Sequence, residues 1–282
     1  MGRIGIIAGG GELPHIAMKE ALERGEDPLF LAVRESEFHA GNFTERVIPI
    51  YITQIGNVIK ICKKNQIDRL ILLGKVNKDI LLKSYKFDLK AILILAKMLN
   101  KNDYTFFEVV AKEFEKEKIS ILSQKLFLTS LLLPSGRYTK HKLSKKEWED
   151  IEYGMNLASK LADLDIGQSV VVLDKMALAL EAIEGTDECI RRGGVLSRKK
   201  GAVLCKSSKP NQDERFDLPT IGKSTLEIMH EYNYKTLAFR SLETIVVNPK
   251  EFIELAEKYK INIISFSSNL TLEMVNKKME KV

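Results

Sequence analysis

The chain opens with Arg3-Ile-Gly-Ile-Ile-Ala8, which runs into Gly9-Gly10-Gly11 and then Leu13-Pro14. A short apolar run that ends in glycines and leads into a helical pattern is typical of a strand, a tight turn and a helix. Backbone N–H groups at such a helix N-terminus can bind an anion. A dinucleotide fingerprint would need glycine where Pro14 stands. The segment therefore predicts either a phosphate or nucleotide-sugar site or only a tight turn.

Strand-like and helix-like segments alternate after this turn. Residues 28–33 and 69–73 predict strands, and residues 55–65 predict a helix between them. Further helices at 89–100 and 105–117 and a strand at 119–122 continue the alternation. This order is typical of a doubly wound parallel sheet. We therefore expect an α/β, Rossmann-like N-terminal domain over residues 1–135.

A polar, basic stretch at residues 136–143 predicts a linker. Ser144 and Glu147 then have the spacing of a capping box, which predicts the start of a helix. The apolar stretches 169–173 and 176–182 predict a hairpin, and alternating strands and helices follow. We therefore expect residues 144–282 to form a second, mixed α/β domain.

Composition narrows the class of protein. The 282 residues are 45% hydrophobic and 29% charged, as in soluble globular proteins, with a formal net charge of +6. This charge suits phosphate ligands or an anionic membrane face, but it is too small to predict nucleic-acid binding. Three widely spaced cysteines indicate reduced thiols in a cytoplasmic protein, and four separated histidines predict no zinc site. No apolar run approaches the ~20 residues of a membrane-spanning helix.

Several segments carry candidate chemistry. Lys75 follows a predicted parallel strand, at the end where ligands bind in such sheets. Glu181, Glu184 and Asp187 place three carboxylates close together, which suits Mg²⁺ or a hydroxyl-rich ligand; the alternative is a helix N-cap at Thr186 or Asp187. Residues 206–222 combine cations, carboxylates, two prolines and a glycine. This loop is either solvated surface or a site for phosphoryl transfer.

Four motifs in sequence order resemble the LpxI-type UDP-2,3-diacylglucosamine pyrophosphatases. They are Gly5-Ile-Ile-Ala8-Gly9-Gly-Gly11-Glu-Leu13-Pro14, Leu164-Asp165-Ile-Gly167-Gln168-Ser-Val-Val-Val172, Glu181-Ala-Ile-Glu184-Gly185-Thr186-Asp187, and Lys209-Pro-Asn-Gln212-Asp213-Glu-Arg215-Phe-Asp217-Leu218-Pro219-Thr-Ile221-Gly222-Lys-Ser-Thr225. The resemblance implies a Rossmann-like N-terminal domain and a C-terminal α/β domain that carries the catalytic acid. It also implies Mg²⁺-dependent hydrolysis of UDP-2,3-diacylglucosamine to UMP and 2,3-diacylglucosamine 1-phosphate (lipid X), a step in lipid A synthesis. Mn²⁺ suits the same oxygen ligands.

The resemblance also suggests roles for individual residues. Asp217 matches the critical acid of the family, which would bind Mg²⁺ or orient the attacking water. The further candidate metal ligands are Asp187, Glu184 and Asp213. The candidate substrate-binding residues are Gly9, Gly10, Gly11, Lys75, Gln168, Thr186, Lys206, Lys209, Gln212, Arg215 and Thr225.

Partners and rival functions complete the expectations. Two acyl chains on the substrate and the basic residues over 75–101 and 140–146 suggest peripheral contact with the cytoplasmic face of the inner membrane. The family resemblance also raises a homodimer. The rivals are a Rossmann-like NAD(P) oxidoreductase or nucleotide-sugar transferase, and a non-catalytic lipid or nucleotide carrier.

Overall fold

A computed structural model describes residues 2–76, 87–99, 106–208, 213–216 and 218–277. The chain divides into two compact units. The first comprises Met1–Thr129 and Asp213–Phe216, and the second comprises Ser130–Gln212 and Asp217–Val282. A four-residue segment of the C-terminal half therefore belongs to the first unit.

The first unit is built on a parallel sheet. Its strands are β1 (Arg3–Ala8), β2 (Leu29–Val33), β3 (Val47–Ile50), β4 (Ile67–Leu73) and β5 (Ser120–Ile121), and its helices are α1 (Leu13–Glu23), α2 (Ile55–Lys64), α3 (Leu89–Leu99) and α4 (Phe106–Lys116). The order across the sheet is β3-β2-β1-β4-β5, and each neighbouring pair is parallel. This confirms the predicted doubly wound N-terminal fold. Strand β1 is central because Ile4, Ile6 and Ile7 are buried by neighbours on both sides.

Strand β3 was absent from the sequence prediction. It lies at the edge of the sheet and contains Pro49, which cannot donate a ladder hydrogen bond. Proline is tolerated at such an edge, although the same residue weakens the strand pattern in the sequence.

The second unit contains a mixed sheet. Its strands are β6 (Gly136–Arg137), β7 (Ser169–Leu173), β8 (Met176–Leu180), β9 (Val203–Lys206), β10 (Thr220–Ile221), β11 (Thr236–Arg240), β12 (Ile245–Val246) and β13 (Asn262–Phe266). Its helices are α5 (Lys145–Asp163), α6 (Thr186–Leu196), α7 (Lys223–Glu231), α8 (Pro249–Tyr259) and α9 (Leu272–Lys277). The main sheet has the order β6-β13-β11-β9-β7-β8, and β10 pairs with β12 separately. Parallel pairs join β9, β11 and β13, whereas β6, β7 and β8 are joined by antiparallel pairs, so the predicted mixed α/β fold is confirmed.

The two faces of the main sheet bury alternate side chains. Val170 and Val172 of β7 pack in one cluster with residues of α5, including Ile151 and Met155. Val171 points to the other face, where it joins a cluster that includes residues of α6, α7 and α8. This period-two burial explains the unbroken apolar run in β7, since both faces are covered by helices.

The predicted linker differs from the structure. Within residues 136–143, β6 pairs antiparallel with β13, and the Tyr138 amide donates to the Ile263 carbonyl at 2.9 Å. The stretch is polar in sequence because backbone hydrogen bonds, and few apolar side chains, attach it to the sheet. The division between the units falls after Thr129, six residues before the predicted boundary at 135.

The capping box of α5 is present as predicted. Ser144 Oγ accepts from the Glu147 amide at 3.2 Å, and the Ser144 amide donates to Glu147 Oε2 at 2.9 Å. Two backbone donors are thereby satisfied at the start of a long helix.

All three cysteines are free and buried. Burial raises the pKa of the Cys62 and Cys189 thiols to about 12, and it also raises the pKa of Cys205. The thiolate is the reactive form, so these thiols are unreactive at neutral pH while the protein is folded.

We therefore expect the folded protein to react very slowly with a thiol-specific reagent such as Ellman's reagent at pH 8. The protein unfolded in guanidinium should release three equivalents at once, since all three thiols become accessible. Absorbance of the released thiolate measures both reactions. A cysteine that reacts rapidly in the folded protein would contradict this burial.

Candidate functional site

One edge of the main sheet in the second unit collects the polar residues of interest. Strands β8, β9, β11 and β13 run in the same direction, and they end at Leu180, Lys206, Arg240 and Phe266. We call this edge the carboxyl edge. Helices α6, α7 and α8 each follow one of these strands, so their N-termini face the carboxyl edge. Ligands bind at this end of open α/β sheets, and helix N-termini favour anions there.

Lys206 is the last residue of β9 and is almost fully buried. Its side chain is 6% exposed. The Lys206 Nζ donates to Thr186 Oγ1 at 2.8 Å and to Ser169 Oγ at 3.4 Å. The antiparallel pairing of β7 with β9 sets Ser169 opposite Lys206 in the register. A buried ammonium group therefore lies beside the first turn of α6, where Thr186 is the first helical residue.

Glu181 completes this arrangement. Its carboxylate Oε1 accepts from Thr186 Oγ1 at 2.9 Å, and Oε2 lies 4.0 Å from Lys206 Nζ. The Gln168 amide also donates to Glu181 Oε2, at 3.4 Å. We refer to Ser169, Glu181, Thr186 and Lys206 together as the Lys206 cluster.

A second group of buried polar residues extends the carboxyl edge. Ser207 and Ser208 follow Lys206; the Ser207 amide donates to the Gln168 carbonyl at 2.9 Å, and Ser208 Oγ donates to the Glu243 carboxylate. Thr244 is fully buried, and its hydroxyl has no hydrogen-bond partner among the residues that the structure describes. Thr225 lies in the first turn of α7 and is 6% exposed.

The structure thus brings together several of the residues predicted for the site. Gln168, Thr186 and Lys206 are linked by hydrogen bonds through Glu181 and Ser207, and Thr225 begins a helix at the same edge. A buried cation, hydroxyl groups and helix N-termini form a suitable environment for an oxyanion such as a phosphate. Whether these residues contact substrate stays a prediction.

The candidate metal ligands of the second unit do not converge on one point. Glu184 pairs with Arg192 at 2.9 Å, and Asp187 is exposed at the start of α6. Helix α6 is capped by Gly185 with φ +84°, so neither Thr186 nor Asp187 is its N-cap. Across the described ranges, no three His, Cys, Asp or Glu side chains gather into a group that could hold a metal ion. The described residues therefore do not fit a Mg²⁺ site.

Asp213 and Arg215 lie in the first unit and pair with each other. Arg215 Nε and Nη2 donate to Asp213 Oδ1 and Oδ2 at 2.9 and 2.7 Å, and Arg215 Nη1 reaches Glu115 Oε1 at 3.3 Å. These hydrogen bonds from Arg215 lower the pKa of Asp213. Asp213 therefore belongs to a different unit from Glu184 and Asp187, the other proposed metal ligands.

The same segment is attached to the first unit by its other two residues. Glu214 pairs with Lys125 at 2.6 Å, which lowers the pKa of Glu214, and its carbonyl accepts from the Gln124 amide at 2.8 Å. Phe216 packs partly buried against the core of that unit. The charges at 213–216 thus serve internal pairing, a role that the sequence pattern did not predict.

The glycine turn of the first unit is explained by close packing. The Gly9 amide donates to the Leu73 carbonyl at 2.8 Å, and Gly10 and Lys75 exchange two backbone hydrogen bonds at 2.8 and 2.9 Å. A Cβ on Gly9 would lie 2.6 Å from the Lys75 carbonyl oxygen. The turn and the end of β4 therefore approach too closely for a side chain. Gly11, with φ +98°, is exposed beyond this contact.

Three predicted site residues, Lys209, Gln212 and Asp217, lie outside the described residues. Conversely, sequence reasoning left Ser169, Glu181 and Glu243 out of the site. A signal existed for Glu181, since it is an acid directly after an apolar strand, and for Ser169, a polar residue that opens one. Glu243 carried no signal, because only the fold places it beside Ser208.

The fold and the carboxyl edge define a two-unit α/β protein whose second unit is equipped to bind an oxyanion. Two family models match the chain in order, the LpxI N-terminal domain over residues 3–131 and the LpxI C-terminal domain over residues 134–264. The chain therefore belongs to the LpxI family and is an enzyme of that family, as the four sequence motifs predicted.

A curated relative supports the same assignment. The UDP-2,3-diacylglucosamine pyrophosphatase LpxI of Caulobacter vibrioides (strain ATCC 19089 / CIP 103742 / CB 15) is 30% identical to this chain over 238 residues. The match covers 80% of this chain and 84% of the relative.

The glycine turn yields a stability prediction. Gly9→Ala should lower the free energy of unfolding of the first unit by about 1–3 kcal/mol, because the new methyl group collides with the backbone at Lys75. Gly10→Ala is the matched control, since its Cβ would meet Glu37 at an ordinary 3.6 Å. Thermal and urea unfolding followed by circular dichroism measures both variants. Equal stability of the two variants would contradict the packing role of Gly9.

Proposed function

We propose that this enzyme hydrolyses the diphosphate of UDP-2,3-diacylglucosamine to UMP and 2,3-diacylglucosamine 1-phosphate, a step of lipid A biosynthesis. The observation that carries the proposal is the Lys206 cluster, a buried cation hydrogen-bonded at a helix N-terminus in a chain of the LpxI family. The name of the Caulobacter relative supplies the substrate.

The proposed chemistry assigns a distinct task to each part of the carboxyl edge. Cleavage of a phosphoanhydride requires a water molecule in line with the leaving group and positive charge near the phosphate oxygens. Lys206 and the N-terminus of α6 supply that positive charge from groups that are already fixed before substrate arrives. Thr186 lies between Lys206 and Glu181, so its hydroxyl is held in one orientation.

Asp217 is the proposed catalytic acid, on the strength of its match to the family's motif. We assign to its carboxylate the orientation of the attacking water, which would bind to the phosphorus next to the sugar. The dependence on Mg²⁺, or Mn²⁺ in its place, is a proposal from the same resemblance. Since the described residues do not fit a metal site, the proposed steps use protein groups alone.

Isotope labelling tests the reaction and the placement of the water together. Purified protein with UDP-2,3-diacylglucosamine and Mg²⁺ in H₂¹⁸O should yield UMP and lipid X, with the label on the lipid X phosphate. Asp217→Asn should lower kcat by at least about 100-fold, the usual scale for loss of a group that acts in proton transfer. Mass spectrometry of both products gives rate and position.

The control is Asp163→Asn, which removes an exposed carboxylate at the end of α5 and should keep wild-type kcat. Label in UMP would move the attack to the other phosphorus. Full activity in EDTA would reject the metal dependence. Tight binding of UMP without turnover would reject hydrolysis and favour the carrier.

We propose in addition that the enzyme contacts an anionic membrane through α3. Leu89, Ile92 and Leu93 are 74%, 51% and 53% exposed, and their spacing places them on one side of the helix. Residues 75–101 contain seven lysines and only two acidic residues. Exposed apolar side chains within a basic segment suit the surface of a bilayer with anionic lipids.

None of the described helices is long and apolar enough to cross a bilayer. A peripheral position on the cytoplasmic face of the inner membrane would let the two acyl chains pass directly from lipid to enzyme. The homodimer expected from the family resemblance stays a prediction.

Vesicle sedimentation tests the membrane contact. The wild-type protein should sediment with phosphatidylglycerol vesicles at low salt and should be released at high salt, because screening weakens attraction to the lipid charge. Ile92→Ser with Leu93→Ser should weaken binding at least about tenfold, since two apolar side chains no longer enter the interface. The matched control is Val195→Ser with Leu196→Ser, which changes another exposed apolar pair. Equal losses in both double variants, or no sedimentation of the wild type, would reject the role of α3.

A further inference from the structure

Glu181 is the one member of the Lys206 cluster that carries negative charge, and it is absent from the site residues predicted from sequence. Its side chain is 12% exposed, against 6% for Lys206. An ammonium group with so little contact with water needs an opposite charge or several hydrogen-bond acceptors. Glu181 supplies the charge at 4.0 Å, while Thr186 and Ser169 supply acceptors.

The hydrogen bonds of Thr186 have a fixed direction. Its single hydroxyl proton goes to Glu181 Oε1 at 2.9 Å, so its oxygen is left to accept from Lys206 Nζ at 2.8 Å. The carboxylate thus orients Thr186, and Thr186 in turn orients the ammonium group. Loss of Glu181 would free both groups to rotate.

The backbone around Glu181 is shaped to keep this carboxylate in place. A Cβ on Gly167 would lie 2.1 Å from the Glu181 carbonyl oxygen, so only glycine allows the 167–168 backbone to pass this closely. This approach lets the Gln168 amide donate to Glu181 Oε2 at 3.4 Å. The Glu181 amide donates to the Ser169 carbonyl at 2.9 Å, which fixes the residue from its other side.

We propose that Glu181 is a positioning residue, which holds Lys206 and Thr186 in the arrangement that receives a phosphate oxygen of the substrate. Glu181 does not touch the substrate itself, because its two oxygens are occupied by Thr186, Gln168 and Lys206. This inference rests on the proposed function for its consequence in catalysis, whereas the contacts themselves do not depend on which substrate binds.

The proposal predicts opposite effects of two variants on KM. Glu181→Gln keeps the size of the side chain and an oxygen for Thr186, but it removes the charge opposite Lys206. We expect kcat to fall about 10- to 100-fold, the range for loss of a hydrogen-bonded charge, without an increase in KM, since the cation that attracts substrate remains. Lys206→Met removes that cation, so KM should rise as well.

Two further variants complete the kinetic test. Glu188→Gln removes an exposed carboxylate from α6 that pairs with Arg191, and its kcat should stay within twofold of the wild type. Glu181→Asp keeps the buried charge balanced, and hence the fold, but is too short to hold both partners; its kcat should fall at least fivefold. If Glu181→Gln and Glu181→Asp both keep kcat within twofold, the positioning role is rejected.

A measurement without substrate separates this inference from the proposed function. In protein with ¹⁵N-labelled lysine side chains, the buried, hydrogen-bonded Lys206 ammonium group should give a resolved ¹H–¹⁵N resonance, identified by its loss in Lys206→Met. Glu181→Asp should shift or broaden this resonance, whereas Glu188→Gln should leave it unchanged. An unchanged resonance in Glu181→Asp would overturn the positioning role. Absence of wild-type turnover with a Glu181-dependent resonance would instead reject the proposed substrate.

Discussion

The second unit depends on one constraint, the burial of a charged lysine at the end of a central strand. β9 lies between β7 and β11, so its last side chain cannot reach water by leaving the sheet. The structure meets this requirement with residues from three separate segments, Ser169, Glu181 and Thr186. Replacing such a network with apolar groups generally costs little stability, so its presence indicates that the charge serves function.

The same constraint explains the local backbone near the carboxyl edge. Gly167 lets its strand approach Glu181, and Gly185 adopts φ +84° so that Thr186 begins α6 beside Lys206. Neither glycine is required by the apolar core. The two positions therefore connect the regular sheet to the polar cluster, and a side chain at either one would displace a member of that cluster.

The first unit uses its charged residues differently. The pairs Arg215–Asp213 and Lys125–Glu214 attach a segment of the C-terminal half to the N-terminal fold. Arg215 binds Asp213 through two parallel hydrogen bonds, a geometry that also recognises phosphate. For Arg215 to bind a diphosphate, it would have to exchange at least part of this pairing for the ligand.

The limits of the sequence prediction follow from how each element is stabilised. Strands β1, β2, β4 and β7 are buried on both faces, so their apolar runs identified them. β6 and β10 have only two residues each, and backbone pairing that leaves no trace in side-chain pattern holds them. Long, well-buried elements were therefore predictable, whereas short strands at edges were not.

The acidic motif Glu181–Asp187 illustrates why the candidate site was harder to predict than the fold. Proximity in sequence suggested one metal site for its three carboxylates, but a turn and a helix start separate them. Glu181 faces Lys206, Glu184 pairs with Arg192, and Asp187 is exposed. The residue types correctly indicated a polar site at the end of an apolar strand. Which acid faces inward depends on Gly185 and on the pairing of β7 with β9, two features that act over different distances along the chain. A motif of this kind therefore locates a site in the fold, while the register of the neighbouring strand decides which of its side chains belongs to it.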